Sequence, residues 1–384
     1  MLFDNDIGYF SASDKKMGCG PSEASSHGEK PKKTTQPEPK PVKPTSGTKD
    51  GEIPISSAEF EAQDIKILTL GAGECGKSTI WRQLKLIYCG GFSHDERSVM
   101  TQVVKVNLIS DIKTLIEALQ HSGQSVAGNL QNSIETVNGL KMTDEDLVPD
   151  IATEIKAIWE DPIMKITFQN ANSIGLGDNA AFFLDNVERL ASPNYLPTNE
   201  DLLKSRIRTT GISSLQFLIN NKIKTELVDV GGQKCERAKW ARCFQGVDYL
   251  LFVVSLSDFD QFMFEDDSIR RTQDSIDLFA SIANSAIFGN KPIFLILNKK
   301  DVFEKKLKAH PEQFKETYKD FTGDTSNVEQ CIEHVKQTFL NQLLSERDKS
   351  VAWVEAIPAC AMDENSIREL FQTIAKKIVQ THNA

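Results

Sequence analysis

The segment from Gly71 to Ser78 restricts the fold of this chain more than any other. It reads GAGECGKS and fits the pattern G-x-x-x-x-G-K-[ST]. The run Ile65–Leu70 before it has the β-branched composition of a strand, and the residues from Gly76 to Ile87 carry aliphatic side chains at helical spacing. A glycine loop between a strand and a helix directs backbone N–H groups and the helix dipole at one point, which favours phosphate binding. In such a loop Lys77 would reach the β- and γ-phosphates of a nucleotide, and the Ser78 hydroxyl would ligate Mg²⁺.

Residues 1–60 differ in composition from the rest of the chain. They hold half of the 14 prolines, and the run KPKKTTQPEPKPVKP at 30–44 has a single aliphatic side chain, Val42. Such a segment cannot bury enough apolar surface to offset the entropy lost on ordering, so we predict a disordered, extended N-terminal linker. Its lysines could contact anionic lipid, and a solvated tail is the alternative.

The block of residues 92–205 has a helical pattern throughout. Apolar residues recur every three to four positions from Val99 to Leu119, and again in shorter stretches at 151–159 and 183–190. We expect the polar stretch 121–138 to be a loop. Because no strand pattern occurs here, we predict an all-helical domain inserted into a second domain.

Strand patterns return after residue 205. Leu215–Ile219 and Ile223–Val230, separated by an Asn-Asn pair, predict a hairpin. Buried-type strands separated by helix-length segments follow at 249–255, 293–297 and 353–357. This alternation predicts an α/β fold with a mostly parallel six-stranded sheet covered on both faces. The predicted sheet domain comprises residues 61–91 and 206–384.

A second polar motif follows the predicted strand at 293–297. Asn298, Lys299, Lys300 and Asp301 read NKKD at the carboxyl end of that strand, where open α/β sheets bind ligands. A carboxylate at Asp301 can accept hydrogen bonds from N1–H and the exocyclic amine of guanine, whereas adenine presents a lone pair at N1. A solvated charged turn is the alternative interpretation of this motif taken alone.

A third motif ends the predicted strand at 223–230. It reads DVGGQ from Asp229 to Gln233. Asp229 would hold a water bound to Mg²⁺, the Gly232 N–H would contact the γ-phosphate, and Gln233 would orient the attacking water. A plain strand-ending turn is the alternative, and the order of the three motifs favours the nucleotide site.

Composition argues against several other classes of protein. Lys and Arg number 44 against 54 Asp and Glu, and the net charge of −10 disfavours general nucleic-acid binding. No run approaches the roughly 18 apolar residues of a membrane-spanning helix. The seven cysteines form no CxxC pair, which disfavours a zinc site or a disulfide framework and favours a reduced, cytosolic protein.

Together these motifs resemble those of the heterotrimeric G-protein alpha subunits. GAGECGKST, RIRTTGI at 206–212, DVGGQ, NKKD and the ACA sequence at 359–361 occur in the order of that family. The helical block lies where the family carries its helical domain. The resemblance covers residues 62–380, and it implies a P-loop, Ras-like fold and a Mg²⁺-dependent GTPase that switches between GDP and GTP states.

The resemblance also implies roles for individual residues. Arg206 matches the arginine that this family supplies to the transition state, so Arg206 and Gln233 are the expected catalytic residues. Thr209 matches the switch threonine that completes Mg²⁺ coordination together with Ser78, while Asp229 acts through water. The implied nucleotide-binding residues are Glu74, Cys75, Gly76, Lys77, Ser78, Thr79, Asp178, Asn179, Leu203, Lys204, Ser205, Arg206, Thr209, Asp229, Gly232, Gln233, Asn298, Lys299, Asp301, Cys360 and Ala361.

The chain departs from the family pattern at several positions. Cys75 stands where serine is usual, and Met362 stands where threonine is usual. Lys204 and Lys234 replace arginines, the second within the switch helix. The N-terminal helix that docks a beta-gamma pair is not visible, and the last predicted helix, 366–380, stops short of the receptor-contacting tail. We therefore expect weak or unusual coupling to a beta-gamma pair and a receptor.

A lipidation motif lies inside the N-terminal segment. Met17 to Ser22 reads MGCGPS and fits M-G-x-x-x-[ST]. If the chain is initiated or cleaved at Met17, Gly18 and Cys19 would carry lipids and hold a peripheral membrane protein at the cytoplasmic face of the plasma membrane. A glycine turn without function is the alternative.

The family resemblance implies protein partners and no nucleic acid. The expected partners are a beta-gamma pair, a seven-helix receptor, an effector and a GTPase-activating protein. Two other functions remain open from the sequence: a non-hydrolysing GTP-dependent scaffold, and a metabolic P-loop ATPase or kinase. Arg206 and Gln233 argue against the first, and Asp301 argues against the second.

Overall fold

The computed structural model describes residues 64–143, 147–169, 176, 179–207, 209–219, 223–263 and 268–382. The predicted linker at 1–60, the lipidation motif with Gly18 and Cys19, the helical-domain residue Asp178 and the Asn-Asn turn of the hairpin all lie outside the described residues.

A six-stranded sheet forms the centre of the larger domain. Its strands are β1 Asp64–Leu70, β2 Ile212–Ile219, β3 Ile223–Val230, β4 Tyr249–Ser255, β5 Ile293–Asn298 and β6 Val354–Pro358. They lie in the order β2-β3-β1-β4-β5-β6. Only β2 and β3 are antiparallel, and the other neighbouring pairs are parallel. The predicted α/β class with a mostly parallel sheet is confirmed.

Helices account for most of the remaining described chain. They are α1 Lys77–Tyr88, α2 His94–His121, α3 Gln131–Asn138, α4 Pro149–Glu160, α5 Pro162–Gln169, α6 Ala180–Asp185, α7 Val187–Leu190, α8 Asn199–Lys204, α9 Lys234–Arg237, α10 Arg271–Ala283, α11 Lys300–Ala309, α12 Pro311–Thr317, α13 Val328–Leu340 and α14 Glu364–His382. Short 3₁₀ helices occur at 128–130, 240–243 and 256–260. Among the described helices, none combines the length and the apolar character needed to cross a bilayer.

The two central strands are buried on both faces. β4 reads YLLFVVS and β5 reads IFLILN, which are the near-continuous apolar runs that a covered parallel sheet requires. Alternate residues of β4 enter different cores: Leu251 packs with α1 and α14, and Phe252 packs with α10 and α13. The helices on the two faces hold the carboxyl ends of the parallel strands at one edge.

Helices α2–α8 follow α1 and precede β2, and α2–α7 share a separate apolar core. Helix α2 begins at His94, earlier than its apolar spacing indicates, because Ser93 and Glu96 form a capping box. The expected loop at 121–138 is partly wrong, since α3 forms there. Ile134 and Val137 lie three residues apart and are buried, so even this polar stretch has an apolar helical face. The domain boundaries at 91/92 and 205/206 stay a prediction.

Candidate functional site

A cavity of about 220 Å³ lies at the carboxyl edge of the sheet, against α2, α6 and α8. It brings together most of the residues that the sequence predicted. Those lining it are Glu74, Gly76, Lys77, Ser78, Thr79, Asn179, Leu203, Lys204, Ser205, Arg206, Thr209, Gly232, Gln233, Asn298, Lys299, Asp301 and Ala361. Cys75, Asp229 and Cys360 do not line it and instead contact residues that do.

The glycines of the phosphate loop lie where a side chain has no room. Gly71 has a φ of +145°, and a Cβ there would lie 2.2 Å from the Val253 carbonyl oxygen. Gly76 has a φ of +100°, and a Cβ there would lie 2.1 Å from Asn298 Nδ2. Gly76 is also the N-cap of α1, and among the described residues no side chain caps that end. The first turn of α1 is therefore a site for an anion at the edge of the cavity.

Lys77 is folded back against the loop that carries it. Its Nζ donates to the carbonyl oxygens of Gly71 at 3.1 Å and Ala72 at 2.7 Å. The side chain is buried, and a Cβ at Gly232 would lie 2.2 Å from the same Nζ. The ammonium therefore lies between the phosphate loop and the DVGGQ turn, as a ligand for phosphate oxygens should.

Hydroxyl and carboxylate oxygens converge at the start of α1. Ser78 Oγ lies 2.5 Å from Thr209 Oγ1 and donates to Asp229 Oδ2 at 2.9 Å. Asp229 is buried, and its Oδ1 makes no hydrogen bond within the described part of the chain. Burial raises the pKa of Asp229, although Lys77 and Ser78 act in the opposite direction. Oxygen donors beside an unsatisfied buried carboxylate oxygen fit a Mg²⁺ ion, which prefers such ligands.

Arg206 reaches the phosphate loop through an ion pair. Its Nη2 donates to Glu74 Oε1, while Arg271 Nη2 donates to Glu74 Oε2 at 2.5 Å. Burial alone would raise the pKa of Glu74, but Arg271 and Arg206 hold it below its usual value. Glu74 is therefore ionised and holds the Arg206 guanidinium at the edge of the cavity.

Gln233 lies beside the phosphate loop, at the N-cap of α9. A Cβ at Gly73 would lie 3.3 Å from Gln233 Cγ, so the two segments are in close contact. Arg237, one turn later, donates to the Gly232 carbonyl at 3.2 Å and forms a buried ion pair with Asp274 of α10. This pair fixes the turn that presents Gln233 to the cavity.

Asn298 links the NKKD motif to the other two loops of the site. Its Nδ2 donates to the Cys75 carbonyl at 2.8 Å, and its Oδ1 accepts from the Ala361 N–H at 3.0 Å. Cys360 Sγ donates to Asp301 Oδ1 at 3.1 Å. Burial and the neighbouring Asp301 raise the pKa of Cys360 to about 11, so it stays a thiol at neutral pH. The Asp301 carboxylate is thereby held among the residues that line the cavity.

Sequence reasoning missed several residues that line the cavity. They are Arg82, Asn107, Asp111, Ala180, Phe183 and Val302. Gly73 and Ile207 also line it and lie inside the predicted phosphate loop and the predicted first switch at 203–209, and Met362 is a departure from the family pattern. Asn107 donates to the Arg206 carbonyl at 2.6 Å. Asn107 and Asp111 lie four residues apart, on one face of α2. Helix α2 carries other polar pairs at this spacing, such as Lys113 and Glu117, so no sequence signal distinguished Asn107 and Asp111.

Asp111 should make the stability of the protein depend on pH. Burial raises its pKa to about 7, with Arg206 lowering it and Glu74 raising it. The folded state therefore binds a proton that the unfolded state releases above about pH 4, and stability falls as pH rises toward 7. We expect Asp111→Asn to reduce this fall by up to about 1.4 kcal/mol per pH unit. Urea unfolding of the wild type and the variant without added nucleotide at pH 5.5 and 8 measures it, and an equal pH dependence of the two unfolding free energies would contradict the assignment.

The fold and the cavity together define a P-loop nucleotide-binding protein of the Ras-like class. The phosphate loop follows β1, the DVGGQ turn follows β3 and the NKKD motif follows β5. All three line one cavity at the carboxyl edge of a mostly parallel sheet.

Comparison with known proteins narrows this class to one family. The family model for G-protein alpha subunits matches residues 45–378. The chain is 34% identical over 323 residues to the guanine nucleotide-binding protein alpha-1 subunit of Neurospora crassa, covering 83% of this chain and 89% of that protein. It is 34% identical over 325 residues to the G-protein complex alpha subunit gpaA of Aspergillus fumigatus, covering 84% and 90%. It is 35% identical over 322 residues to a guanine nucleotide-binding protein alpha subunit of Coprinellus congregatus, covering 83% and 89%.

The chain belongs to the G-protein alpha subunit family, and the resemblance found in its motifs is confirmed. It is accordingly a GTPase that binds GTP and GDP and acts as a signalling switch. A non-hydrolysing scaffold and a metabolic ATPase or kinase are thereby disfavoured.

Proposed function

We propose that this GTPase couples a seven-helix receptor to an effector through a cycle of GDP release, GTP binding and Mg²⁺-dependent hydrolysis, with a beta-gamma pair bound in the GDP state. One observation carries the proposal. The hydroxyl of Ser78 on α1 contacts Thr209 and Asp229, which precede β2 and end β3. A ligand at this point therefore acts on both segments that change with the bound nucleotide in a switch protein.

The donor set at the start of α1 supports Mg²⁺ as the cofactor. Ser78 and Thr209 would hold the ion directly, and Asp229 would hold it through water. Bound there, the ion would neutralise charge on the β- and γ-phosphate oxygens. In such a cycle Thr209 would stay at the ion only while the γ-phosphate is bound, so loss of that phosphate would release the segment before β2.

The chain's own residues supply the rest of the chemistry. Lys77 would exchange its carbonyl acceptors for phosphate oxygens. Arg206 would leave Glu74 and face the charge that develops on the transferred phosphoryl group. Gln233 would orient the attacking water, which makes the reaction a matter of positioning and electrostatics.

The membrane location is proposed from the sequence. If Met17 begins the mature chain, lipids on Gly18 and Cys19 would give two membrane anchors, which together hold a protein stably at a bilayer. This would place the GTPase at the cytoplasmic face of the plasma membrane, near a receptor. A GTPase-activating protein would act on the same segments as the effector.

Binding to a purified beta-gamma dimer tests the switch. We expect the GDP-loaded chain to bind at least about tenfold more tightly than the chain loaded with a non-hydrolysable GTP analogue, which corresponds to about 1.4 kcal/mol. Gly232→Ala should remove this difference, since its Cβ would lie 2.6 Å from the Ala72 carbonyl oxygen and 2.2 Å from Lys77 Nζ, blocking the approach to the γ-phosphate.

Gly128→Ala is the matched control, because a Cβ there meets none of the described atoms within 4 Å. It should bind like the wild type. Equal affinity of the wild-type GDP and GTP-analogue forms would remove the beta-gamma pair from the proposal. Weak binding that is still tighter in the GDP form would agree with both the proposal and the sequence-based expectation of unusual coupling to the dimer.

A further inference from the structure

Arg82 joins α1 to the segment that leads from the helical block into β2. Its Nη1 donates to the Leu202 carbonyl, to the Ser205 carbonyl at 3.0 Å and to the Ser205 hydroxyl at 3.1 Å. Its Nε donates to the Ser78 carbonyl at 3.0 Å. One guanidinium therefore connects the residue that carries the proposed Mg²⁺-binding hydroxyl with the end of α8.

The charge of Arg82 is buried and depends on these contacts. The residue is 7% exposed, and burial lowers its pKa to about 10, although Asp229 acts in the opposite direction. The Leu202 and Ser205 carbonyls lie at the end of α8, where the helix dipole presents its negative end. If α8 moved away, the guanidinium would lose these three hydrogen bonds, and hydrogen bonds from a charged donor contribute more than neutral ones. The contact therefore opposes separation of α8 from α1.

At its other end, α8 is fixed to the segment that contains helices α6 and α7. The side chain of Asp201 is fully buried and accepts bonds from Arg189 at 2.8 Å and from the Tyr195 hydroxyl at 3.0 Å. It also accepts from the Thr198 N–H at 2.9 Å, which completes the capping box at the start of α8. Asn179, before α6, adds a bond to the Lys204 carbonyl at 3.1 Å. Contacts that hold α8 in place therefore also hold α6 and α7, which share an apolar core with α2–α5.

The contact of Arg82 also borders the cavity. Arg82, Ser205 and Arg206 all line it, on the side that faces α2 and α6. A nucleotide in the cavity lies between the phosphate loop on one side and these helices on the other. If α8 and the helices packed on it move away from α1 when a nucleotide leaves, that movement breaks the bonds of Arg82.

We propose that Arg82 is a positioning residue that fastens α8 to α1 and thereby limits the rate at which GDP leaves the cavity. The proposal rests on the assignment of the cavity to guanine nucleotides. It assigns Arg82 a role in product release, in addition to the role of Arg206 in the chemical step.

The dissociation rate of a fluorescent GDP analogue tests this role. Arg82→Met keeps an unbranched apolar stem and loses every donor, so we expect release about tenfold faster than in the wild type. Arg82→Lys keeps a charge and three donors, and it should stay within about threefold of the wild type. Lys336→Met removes a partly exposed cation on α13, which is paired with Glu333, and this variant should release GDP at the wild-type rate.

Hydrogen exchange of the GDP-bound proteins separates this role from a general loss of stability. In Arg82→Met the amides of 202–207 should exchange faster, while those of the central strands β4 and β5 keep their protection. Faster exchange throughout the sheet in Arg82→Met would overturn the proposal. It would also be overturned if Arg82→Lys released GDP as fast as Arg82→Met.

A second variant keeps the test decisive if Arg82→Met does not fold. Ser205→Ala removes a hydroxyl that accepts from Arg82 and donates to the Leu202 carbonyl at 2.9 Å, and it should speed GDP release about threefold. If both variants fold and release GDP at the wild-type rate, the proposal is overturned. If Arg82→Met does not fold, a wild-type release rate in Ser205→Ala overturns it. A wild-type chain that binds no GDP analogue would instead refute the assignment of the cavity.

Discussion

Replacing Arg206 by cysteine is expected to slow single-turnover GTP hydrolysis by a factor of about 10³–10⁵. This range is the general one for transition-state arginines in GTPases, this family included. Arg206 lies at the edge of the cavity, where it is paired with Glu74. From this position its guanidinium can turn toward a γ-phosphate. Cysteine has no charge to offer there at neutral pH. The contacts of Lys77 and Ser78 do not involve Arg206, so GTP affinity should stay nearly intact.

Gln233→Leu should likewise slow GTP hydrolysis while GTP affinity stays nearly intact, since leucine cannot orient a water molecule. Phosphate release from preloaded GTP, measured with affinity for a non-hydrolysable analogue, separates the two quantities. Arg368→Cys is the matched control, because this arginine is partly exposed on α14 and is paired with Glu364. Unchanged single-turnover rates in both Arg206→Cys and Gln233→Leu would rule out the mechanism.

The phosphate loop could be predicted from the sequence because its constraints are local. Gly71 and Gly76 lie where the backbone has a positive φ and where a Cβ has no room, and both glycines belong to one short pattern between a strand and a helix. The same holds for β4 and β5, whose apolar runs leave little choice but a covered strand. Patterns of this kind report the environment of each residue directly.

Contacts between distant segments could not be predicted in the same way. Arg82 and Leu202 are 120 positions apart, and nothing around Arg82 distinguishes it from a solvated arginine on an amphipathic helix. The pKa of Asp111 likewise depends on the fold, because burial and the distant Glu74 raise it while Arg206, also distant along the chain, lowers it. The helix α3 was missed for a different reason, because its apolar face is only two residues wide among polar neighbours.

Replacing Asp301 by asparagine is expected to change which nucleotide the chain binds. The two carboxylate oxygens of Asp301 can face two donors on guanine, N1–H and the 2-amino group. Asparagine keeps one acceptor and introduces an NH₂ donor, which then opposes the 2-amino group. Two unsatisfied donors at about 1–3 kcal/mol each predict a loss of GTP affinity of about 30-fold or more.

Xanthine carries a carbonyl at position 2, and the same asparagine NH₂ can donate to it. The variant should therefore lose GTP and gain xanthosine triphosphate, because the contacts of Lys77 and Ser78 with the phosphates stay as they were. Competition of both nucleotides against a labelled GTP analogue measures the change, and Asp277→Asn on the exposed side of α10 is the matched control.

The position of Asp301 makes this result specific to the base. Its Oδ1 already accepts from the Cys360 thiol, and Asn298 ties the same loop to the phosphate loop and to Ala361. Asparagine is nearly isosteric with aspartate, so these contacts should keep residue 301 in place. If the variant binds xanthosine triphosphate more tightly than the wild type does, its loss of GTP affinity cannot come from a displaced loop. A solvated turn at NKKD predicts no change in either affinity. Equal GTP affinity in the wild type and Asp301→Asn would therefore remove Asp301 from the site.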